Sequence, residues 1–289
     1  MINFIIHAKA GRRQAGKAKK TIEKKLSALG IPYAFYLTER QGHATELARD
    51  LCRKGETTIV AVGGDGTLHE VLNGLENFEN VKLGLIPCGT GNDFATAIKI
   101  PKNHKKALDI ILSNNVRNVD FFDCSGIRGI NIMGTGIDVD ILHHYNTKRF
   151  NGKIQYFLSL LHCLIHYKPY EFTIIDENGE KQAKKAFIAC VANGHQFGGG
   201  IKICPDANIY DGTLDMIIVN DLPKKKFPGA LLKLTAGKIR DVNQCEYAQI
   251  KQMQAVGKLP IQIDGEIYND LEFNVKLVTN TLQMFTPEK

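Results

Sequence analysis

Short apolar runs alternate with amphipathic stretches over the first part of the chain. Consecutive apolar residues, as in IVAV at 59–62, are typical of strands that are buried on both faces of a sheet. After such runs, apolar residues recur three and four positions apart, which is the period of a helix packed on a sheet. This alternation predicts βαβ units and a parallel sheet, with strands at 2–6, 33–37, 59–62 and 82–86 and helices at 17–29, at 43–53 and from Thr67.

The pattern changes after about residue 118, where strand-like runs follow one another directly. Turn signals such as Glu177-Asn178-Gly179 separate the runs, so neighbouring strands are expected to pair antiparallel. Two helices are predicted here, at about 153–167 and 226–236. We therefore expect an α/β domain at 1–120 and an antiparallel sandwich or barrel at 121–289, with strands at 119–122, 127–133, 171–175, 186–191, 214–219, 259–263 and 271–278.

The stretch IVAVGGDGTLHEVLNG at 59–74 joins a strand to a helix through three glycines. Thr67 and Glu70 stand at capping-box spacing, which places the start of the helix at Thr67. The string is neither a Walker A loop, since no Lys-Ser/Thr follows, nor a Rossmann fingerprint, which needs a third glycine at another spacing. Glycines in such a turn can be turn chemistry alone, but the free N–H groups of the turn and helix also suit a phosphate.

A second glycine-rich loop, PCGTGNDFA at 87–95, follows the next predicted strand. Taken alone, it is a helix start with Asp93 as the N-cap. The carboxyl ends of parallel strands lie at one edge of a sheet, and ligands bind beyond that edge. Both loops are therefore expected at the ligand site.

The net charge, the cysteines and the length of the longest apolar stretch limit the kinds of protein that the chain can be. The net charge of +7 suits nucleotide phosphates or anionic lipid headgroups, and it is the only feature that favours nucleic acid. The seven cysteines are scattered without a C-x-x-C pair, as expected for a reducing cytosol. The longest apolar stretch, Tyr156 to Tyr167, is shorter than the ~20 residues of a transmembrane helix. We expect a cytoplasmic protein that is at most peripheral to a membrane.

The string GGDGT resembles the nucleotide loop of diacylglycerol kinases, sphingosine kinases, NAD kinases and phosphofructokinases. Together with PCGTGNDFA it resembles the diacylglycerol kinase catalytic family, and in particular the soluble bacterial lipid kinases. The likeness covers nearly the whole chain through Asp120 in NVDFFD, Gly136-Ile137-Asp138, Asn193-Gly194, Gly198-Gly199-Gly200, Pro205-Asp206-Ala207, Asp211-Gly212-Thr213-Leu214-Asp215 and Asp264-Gly265-Glu266.

The resemblance implies a nucleotide-binding α/β domain, a β-sandwich domain for the lipid, and an active site in the cleft between them. In some members the C-terminal segment returns to the first domain, which here concerns residues beyond about 275. One departure follows the first strand, where the family usually has Asn-Pro and this chain has His7-Ala8. The family's phosphate contacts therefore do not carry over directly to residues 7–12.

The resemblance also assigns the nucleotide-binding residues by position. Glycine amides and threonine hydroxyls donate hydrogen bonds to phosphates, and a carboxylate beside them can hold Mg²⁺. Asp65 is the candidate for that carboxylate, and its alternative role is that of a turn aspartate with an unusual backbone angle. The predicted set is Thr38, Gly63, Gly64, Asp65, Gly66, Thr67, Gly89, Thr90, Asn92 and Asp93.

Two carboxylates are candidates for the general base that accepts the proton of the substrate hydroxyl. The resemblance assigns this role to Glu266, whereas apolar runs on both sides of 264–266 make a hairpin turn the default interpretation. Asp65 is the rival base, because sphingosine kinases are usually assigned a carboxylate of their glycine loop. The sequence leaves both as catalytic candidates.

A second Mg²⁺, away from the chemistry, is implied by the resemblance. Its ligands would be the Asp211 carboxylate and the main-chain carbonyl groups of Asn208 and Thr213. The alternative interpretation of Asp211-Gly212 is a plain turn between strands without a metal.

We therefore predict an ATP- and Mg²⁺-dependent lipid kinase of phospholipid metabolism, with diacylglycerol as the expected acceptor and phosphatidic acid as the product. The alternatives are a kinase of a soluble substrate, similar to NAD kinases, and a non-catalytic lipid-binding regulator. Contact with an anionic membrane surface is expected from Lys224-Lys225-Lys226-Phe227 and from the apolar stretch 156–165. A homodimer is compatible with the sequence, and nucleic acid is not an expected partner.

Overall fold

The computed structural model describes residues 1–8, 14–148 and 152–288. The chain divides into two compact units, one formed by Met1–Asp120 with Thr279–Lys289 and the other by Phe121–Val278. Residues 9–13 lie outside the described part, so most of the segment that departs from the family pattern after the first strand is not described.

The first unit contains a parallel sheet whose strands are connected by helices. Its elements are β1 (Ile2–His7), α1 (Gln14–Leu29), β2 (Tyr33–Thr38), α2 (His43–Arg53), β3 (Thr58–Gly63), α3 (Asp65–Gly74), β4 (Lys82–Pro87), α4 (Asp93–Ala97) and α5 (His104–Leu112). Strand β1 pairs parallel with β2 on one side and β3 on the other, and β3 pairs parallel with β4. The direction of winding therefore reverses between β1 and β3, where ligands of open parallel sheets bind.

The C-terminal residues complete the sheet of the first unit. Gln283 and Met284 pair parallel with Lys82 and Leu83 of β4. The backbone N–H of Thr286 donates to the carbonyl oxygen of Asn115 at 3.0 Å, and the Asn115 amide donates back to the Thr286 carbonyl at 3.0 Å. These bonds hold the end of the chain on the first unit.

The start of α3 differs from the prediction. The helix begins at Asp65, with Gly64 at the N-cap position and no side-chain cap. Glu70 does not reach back to its own helix, because its carboxylate accepts the backbone N–H of Ala44 at 3.1 Å. Ala44 lies in the first turn of α2, whose N–H groups have no partner within that helix. The predicted Thr67–Glu70 capping box is therefore wrong, and Glu70 instead joins α3 to α2.

Helix α5 was not predicted, although the sequence carried a signal for it. The Asn103 side chain accepts the backbone N–H of Lys106 at 3.0 Å, which is an N-cap bond. Ala107, Leu108 and Ile111 of the helix are buried. These three residues form the apolar face of the helix directly after Lys105 and Lys106. The Asn103 cap and the packing of this face stabilise the helix.

The second unit is built from antiparallel strands with three α-helices among its described residues, whereas the sequence predicted two and missed α6. Its elements are the end of β5 (Val116–Cys124), β6 (Ile127–Gly129), β7 (Ile132–Gly136), α6 (Ile137–Asn146), α7 (Lys153–His166), β8 (Tyr170–Ile175), β9 (Lys181–Ala192), β10 (Leu214–Asn220), α8 (Phe227–Thr235), β11 (Cys245–Ile250), β12 (Gln252–Val256), β13 (Ile261–Ile263), β14 (Glu266–Tyr268) and the start of β15 (Phe273–Phe285). The strands β14, β13, β7, β9, β8, β12 and β15 pair in that order, and β10 and β11 extend from β9. The predicted change from a parallel to an antiparallel sheet is confirmed.

Strand β9 forms the centre of the second unit because both faces are buried over its second part, from Ala186 onward. Cys190 and Ala192 pack into one hydrophobic cluster, and Ala189 and Val191 pack into another. The period of two in a strand sends alternate residues to opposite faces. The continuous apolar run of β9 therefore supplies both layers of the core at once.

Within the described residues, no helix combines the length and the apolar character that crossing a bilayer requires. Helix α7, which covers most of the longest apolar stretch, has 14 residues.

The contact between α2 and α3 generates a prediction about stability. A Cβ atom on Gly74 would overlap the Thr45 carbonyl oxygen and approach the Cβ of Ala48, whereas a Cβ on Gly16 would meet nothing within 4 Å. We expect Gly74→Ala to lower the free energy of unfolding by about 1–3 kcal/mol, because overpacking forces the helices apart. Gly16→Ala, in the exposed part of α1, should raise it by up to ~1 kcal/mol. Urea unfolding of both variants measures the difference, and a Gly74→Ala midpoint at or above wild type contradicts the prediction.

Candidate functional site

The two glycine-rich loops of the first unit lie side by side. Strands β3 and β4 are in register up to the pair Gly63 and Pro87, and the backbone N–H of Cys88 donates to the Gly63 carbonyl at 2.7 Å. A Cβ atom on Gly89 would lie 2.5 Å from the Cα of Gly64, a distance that real Cβ atoms do not show. The loops approach this closely only because both positions are glycine.

Asp65 connects the two loops. It is the first residue of α3, and its Oδ1 accepts the backbone N–H of Phe94, in the first turn of α4, at 3.1 Å. A carboxylate at this position satisfies a donor that has no partner within α4 and interacts favourably with the positive end of the helix. Asp65 is half-buried, so its carboxylate is held in place and still partly open to solvent.

Asn92, rather than Asp93, occupies the N-cap position of α4. It has a left-handed backbone with φ of 55°. Its amide donates to the Gly89 carbonyl at 2.7 Å, and its Oδ1 accepts the Gly89 N–H at 2.9 Å. Asp93 is the first residue of the helix, so the predicted Asp93 cap is wrong. Asn92 is buried and fixes the shape of the second loop.

The three predicted threonines have different surroundings. Thr67 is buried, and its side chain occupies the space that a Cβ on Gly63 would need. Thr90 is exposed in the second loop. Thr38 is the last residue of β2, which lies two strands from β3, so Thr38 is roughly 10 Å from the end of β3 along the same edge of the sheet. Its hydroxyl lies 3.2 Å from Nδ1 of His7. The structure thus gathers the residues of 63–67 and 89–93 in one place and sets Thr38 apart from them.

The second unit holds Glu266 on a tight hairpin. Asp264 and Gly265 form a two-residue loop with φ of 51° and 93°, and Glu266 pairs with Ile263 across it. Positive φ at both loop residues is the mark of a type I′ turn, which explains the Asp-Gly sequence. The hairpin interpretation of 264–266 is confirmed, and it places the half-buried Glu266 at the first position of β14.

Asp264 fixes this hairpin, a role that the sequence did not reveal. Its carboxylate accepts the backbone N–H groups of Ile130, Asn131 and Ile132 at 2.9, 2.9 and 3.1 Å. Its own N–H donates to the Ile132 carbonyl at 2.9 Å. Hydrogen bonds to an ionised acceptor are about twice as strong as neutral ones. Glu266 therefore follows a turn that is anchored to the start of β7.

An apolar cavity lies under α6, α7 and α8 of the second unit. Every described residue that lines it is apolar except Asp138, and Leu160, Phe187 and Leu231 are among them. Its free volume is about 40 Å³, so a longer apolar molecule enters only when side chains or helices over it move apart. The sequence did not predict this cavity, since its lining comes from several separate elements.

Asp138 is the ionisable group among the described residues that line the cavity. It is buried, and neither carboxylate oxygen makes a hydrogen bond of good geometry within the described residues. Burial raises the pKa of Asp138 to about 7, although Gln262 and the backbone of Val139 act in the opposite direction. A Cβ on Gly134 would overlap one of its oxygens, so the glycine makes room for the carboxyl group. Asp138 belongs to the string Gly136-Ile137-Asp138, which was the signal for it in the sequence.

Asp211 lies in a turn before β10. Its Oδ1 accepts the backbone N–H and the hydroxyl of Thr213 at 3.0 and 2.9 Å, and its own N–H donates to the Asn208 carbonyl at 3.3 Å. In the part of the chain described here, no group of three or more His, Cys, Asp or Glu side chains is placed to hold a metal. The geometry is that of an Asp-Gly turn with one carboxylate and nearby carbonyl oxygens.

Comparison with known proteins identifies both units. Residues 1–124 match the family described as diacylglycerol kinase catalytic domain, and residues 131–286 match the one described as YegS C-terminal NAD kinase beta sandwich-like domain. The chain is 28% identical to the diacylglycerol kinase of Bacillus subtilis, over 91% of this chain and 88% of that one. It is 30% identical to a protein named "Probable lipid kinase YegS-like" of Xanthomonas axonopodis pv. citri, over 89% of this chain and 88% of the other.

Solved structures show the same architecture. A diacylglycerol kinase from Bacillus anthracis superposes with a TM-score of 0.80 at 25% identity, over 99% of this chain and 96% of that one. An NAD kinase from Archaeoglobus fulgidus in complex with ATP shares the fold at a TM-score of 0.58 and 15% identity, over 100% and 95% of the two chains. On these matches, the chain belongs to the diacylglycerol kinase catalytic family and is a kinase.

Proposed function

We propose that this protein transfers the γ-phosphoryl group of ATP to the hydroxyl group of a lipid alcohol, with diacylglycerol as the expected acceptor. The observation that carries the choice of a lipid is the apolar cavity of the second unit with its single carboxyl group. A kinase of nicotinamide nucleotides binds a polar, charged acceptor, for which an apolar lining is unsuitable. A regulator without catalysis needs neither Asp65 nor Glu266, and both are present.

The nucleotide is assigned to the paired loops of the first unit. Gly64 and Gly66 are half-buried and carry no side chain that would keep a phosphate from the backbone, and the N-terminus of α3 adds its positive end. Asp65 is the carboxylate at this site that would hold Mg²⁺, because hard cations prefer oxygen ligands. Mg²⁺ there would neutralise the charge that develops on the phosphates. Asp65 also joins the two loops through Phe94, and Asn92 fixes the shape of the second loop.

The proton of the acceptor hydroxyl needs a base. An alcohol does not ionise near neutral pH, so a carboxylate that accepts its proton as the phosphorus–oxygen bond forms lowers the barrier. Glu266 is our candidate, because the anchored hairpin fixes its backbone and its side chain is half-buried. Asp65 is the rival, but its Oδ1 already accepts a hydrogen bond from Phe94.

Two further assignments complete the proposal. Asp211 with the carbonyl oxygens of Asn208 and Thr213 is the candidate site for a second Mg²⁺, which would stabilise the turn before β10.

The protein acts at the cytoplasmic face of a membrane as a peripheral enzyme, since its acceptor is a membrane lipid. The net charge of +7 supports attraction to an anionic leaflet.

An assay with γ-labelled ATP tests the function directly. Diacylglycerol, phosphatidylglycerol and sphingosine in mixed micelles are offered in parallel with NAD as the soluble control. We expect Mg²⁺-dependent label in a lipid product and none in NAD phosphate. Label in NAD alone, or ATP binding without transfer to any acceptor, contradicts the proposal.

The same assay separates the two candidate bases. Glu266→Gln keeps the shape of the side chain and removes its basicity, so kcat should fall by ~10²–10⁴-fold, with ATP affinity unchanged because the nucleotide loops lie in the first unit. Asp65→Ala should weaken ATP or Mg²⁺ binding. Turnover of Glu266→Gln within a few-fold of wild type shows that the base lies elsewhere.

The environment of Asp138 predicts a pH dependence of stability. Its folded pKa, about 7, is above the ordinary value of 3.8. Folding therefore retains a proton that the unfolded chain releases, and stability is lost as the pH rises from about 4 to 7. Asp138→Asn removes this loss, so its stability relative to wild type should improve over that interval by up to about 4 kcal/mol. Urea midpoints at several pH values measure it, with the exposed Asp270→Asn as control; an offset that is constant with pH contradicts the argument.

The second Mg²⁺ assignment is tested by Asp211→Asn. This change keeps an oxygen that accepts the Thr213 N–H and removes the only carboxylate charge of the turn. We expect the turn to persist and the Mg²⁺-dependent rise in melting temperature to be reduced. If Mg²⁺ raises the melting temperature of the variant and of wild type equally, the ion is not held at Asp211.

A further inference from the structure

Helix α7 is apolar on both its inner and its outer face. Tyr156, Leu160 and Cys163 are buried against the second unit. On the outer face Ile154 is 80% exposed, and Ile165 is 68% exposed. A helix packed on a protein normally presents polar residues to water, so the outer face of α7 is the exception that needs a partner.

The exposed residues form one continuous stripe. They are Ile154, Phe157, Leu158, Leu161 and Ile165, which follow the i, i+3, i+4, i+7, i+11 pattern of one helix face. A helix of 14 residues is about 21 Å long. The stripe therefore covers most of one side of α7, and we call it the outer face.

Lysines border the outer face. Nζ of Lys224 donates to the carbonyl oxygen of Ile165 at 2.8 Å, which places the short helical turn Lys224–Lys226 at the C-terminal end of α7. Lys225 and Lys226 are exposed in the same turn. The segments 153–168 and 221–238 together contain seven lysines and one acidic residue, Asp221, which accepts a hydrogen bond from the Tyr167 hydroxyl at 3.4 Å.

We propose that the outer face and its bordering lysines dock on an anionic lipid bilayer. The apolar stripe lies at the boundary of headgroups and acyl chains, and the lysines reach the headgroups, as in other interfacial helices. A second copy of the chain is the less suitable occupant, because a symmetric contact would bring two sets of like charges together. The proposal rests on the lipid kinase function, and it names the surface that meets the membrane.

The inner face of α7 lines the apolar cavity that we assign to the lipid acceptor. Leu160 and Leu164 line the apolar cavity, and so do Leu231 and Leu234 of α8. One helix thus contacts the cavity with one side and the bilayer with the other. A lipid in the leaflet would lie next to the helices that close the cavity.

Vesicle sedimentation with matched variants tests the surface. Leu158→Gln with Ile165→Gln should lower the partition coefficient onto phosphatidylglycerol–phosphatidylcholine vesicles by tenfold or more, since two large apolar side chains no longer leave water. Leu29→Gln with Val256→Gln, at residues 56% and 60% exposed elsewhere, should leave it unchanged. Lys225→Gln with Lys226→Gln should lower it roughly tenfold at low salt, and Lys105→Gln with Lys106→Gln on α5 should not.

The outcomes separate this proposal from the kinase assignment. Equal binding of all variants, or equal losses in test and control pairs, overturns the docking surface. A shift of the monomer–dimer ratio with unchanged vesicle binding identifies a second copy as the occupant and overturns it as well. Sedimentation requires no turnover, so wild-type binding without transfer to any lipid alcohol would overturn the function alone. Activity of the Leu158→Gln/Ile165→Gln variant on a water-soluble, short-chain diacylglycerol should match wild type, and its loss there would place the outer face in the substrate site.

Discussion

The approach of Gly64 to Gly89 is the constraint on which the candidate nucleotide site depends. Two loops after neighbouring parallel strands can share one ligand only if their backbones come close, and here any side chain at Gly89 would collide with Gly64. The in-register pairing of β3 and β4 sets this distance, and the hydrogen bond from Phe94 to Asp65 maintains it. The two glycines therefore make the close packing of the loops possible.

Three aspartates show how surroundings decide what a carboxyl group does. Asp65 and Asp264 accept backbone N–H groups, and each is thereby a fixed support for a loop. Asp138 is buried among apolar side chains, and its pKa rises to about 7. The first two organise the backbone of their loops, whereas neither carboxylate oxygen of Asp138 makes a hydrogen bond of good geometry within the described residues.

The sequence predicted what depends on local pattern. Helix α2 was predicted with its observed bounds, and the buried strand β3 was recognised from four consecutive apolar residues. Strands β11 and β12 were missed because many of their residues are partly or fully exposed and mix glutamine and glutamate with apolar side chains. The helix starts at Asp65 and Asp93 were misplaced because backbone geometry at Gly64 and Asn92, rather than a capping side chain, begins each helix. The cavity needs side chains from several distant elements, which no local pattern reveals.

The same limit applies to α7, and it bears on function. From the sequence, residues 156–165 were a single apolar stretch, and only the fold separates Tyr156 and Leu160, which are buried, from Leu158 and Ile165, which are exposed. A core helix needs only one apolar face. Packing on the second unit explains the apolar residues of the inner face of α7, but it does not explain those of the outer face. Large exposed apolar patches favour association, which costs solubility unless a partner covers them. If the ligand of the cavity arrives from a bilayer, the helix that closes the cavity meets that bilayer with its outer face. An apolar outer face then has a physical reason.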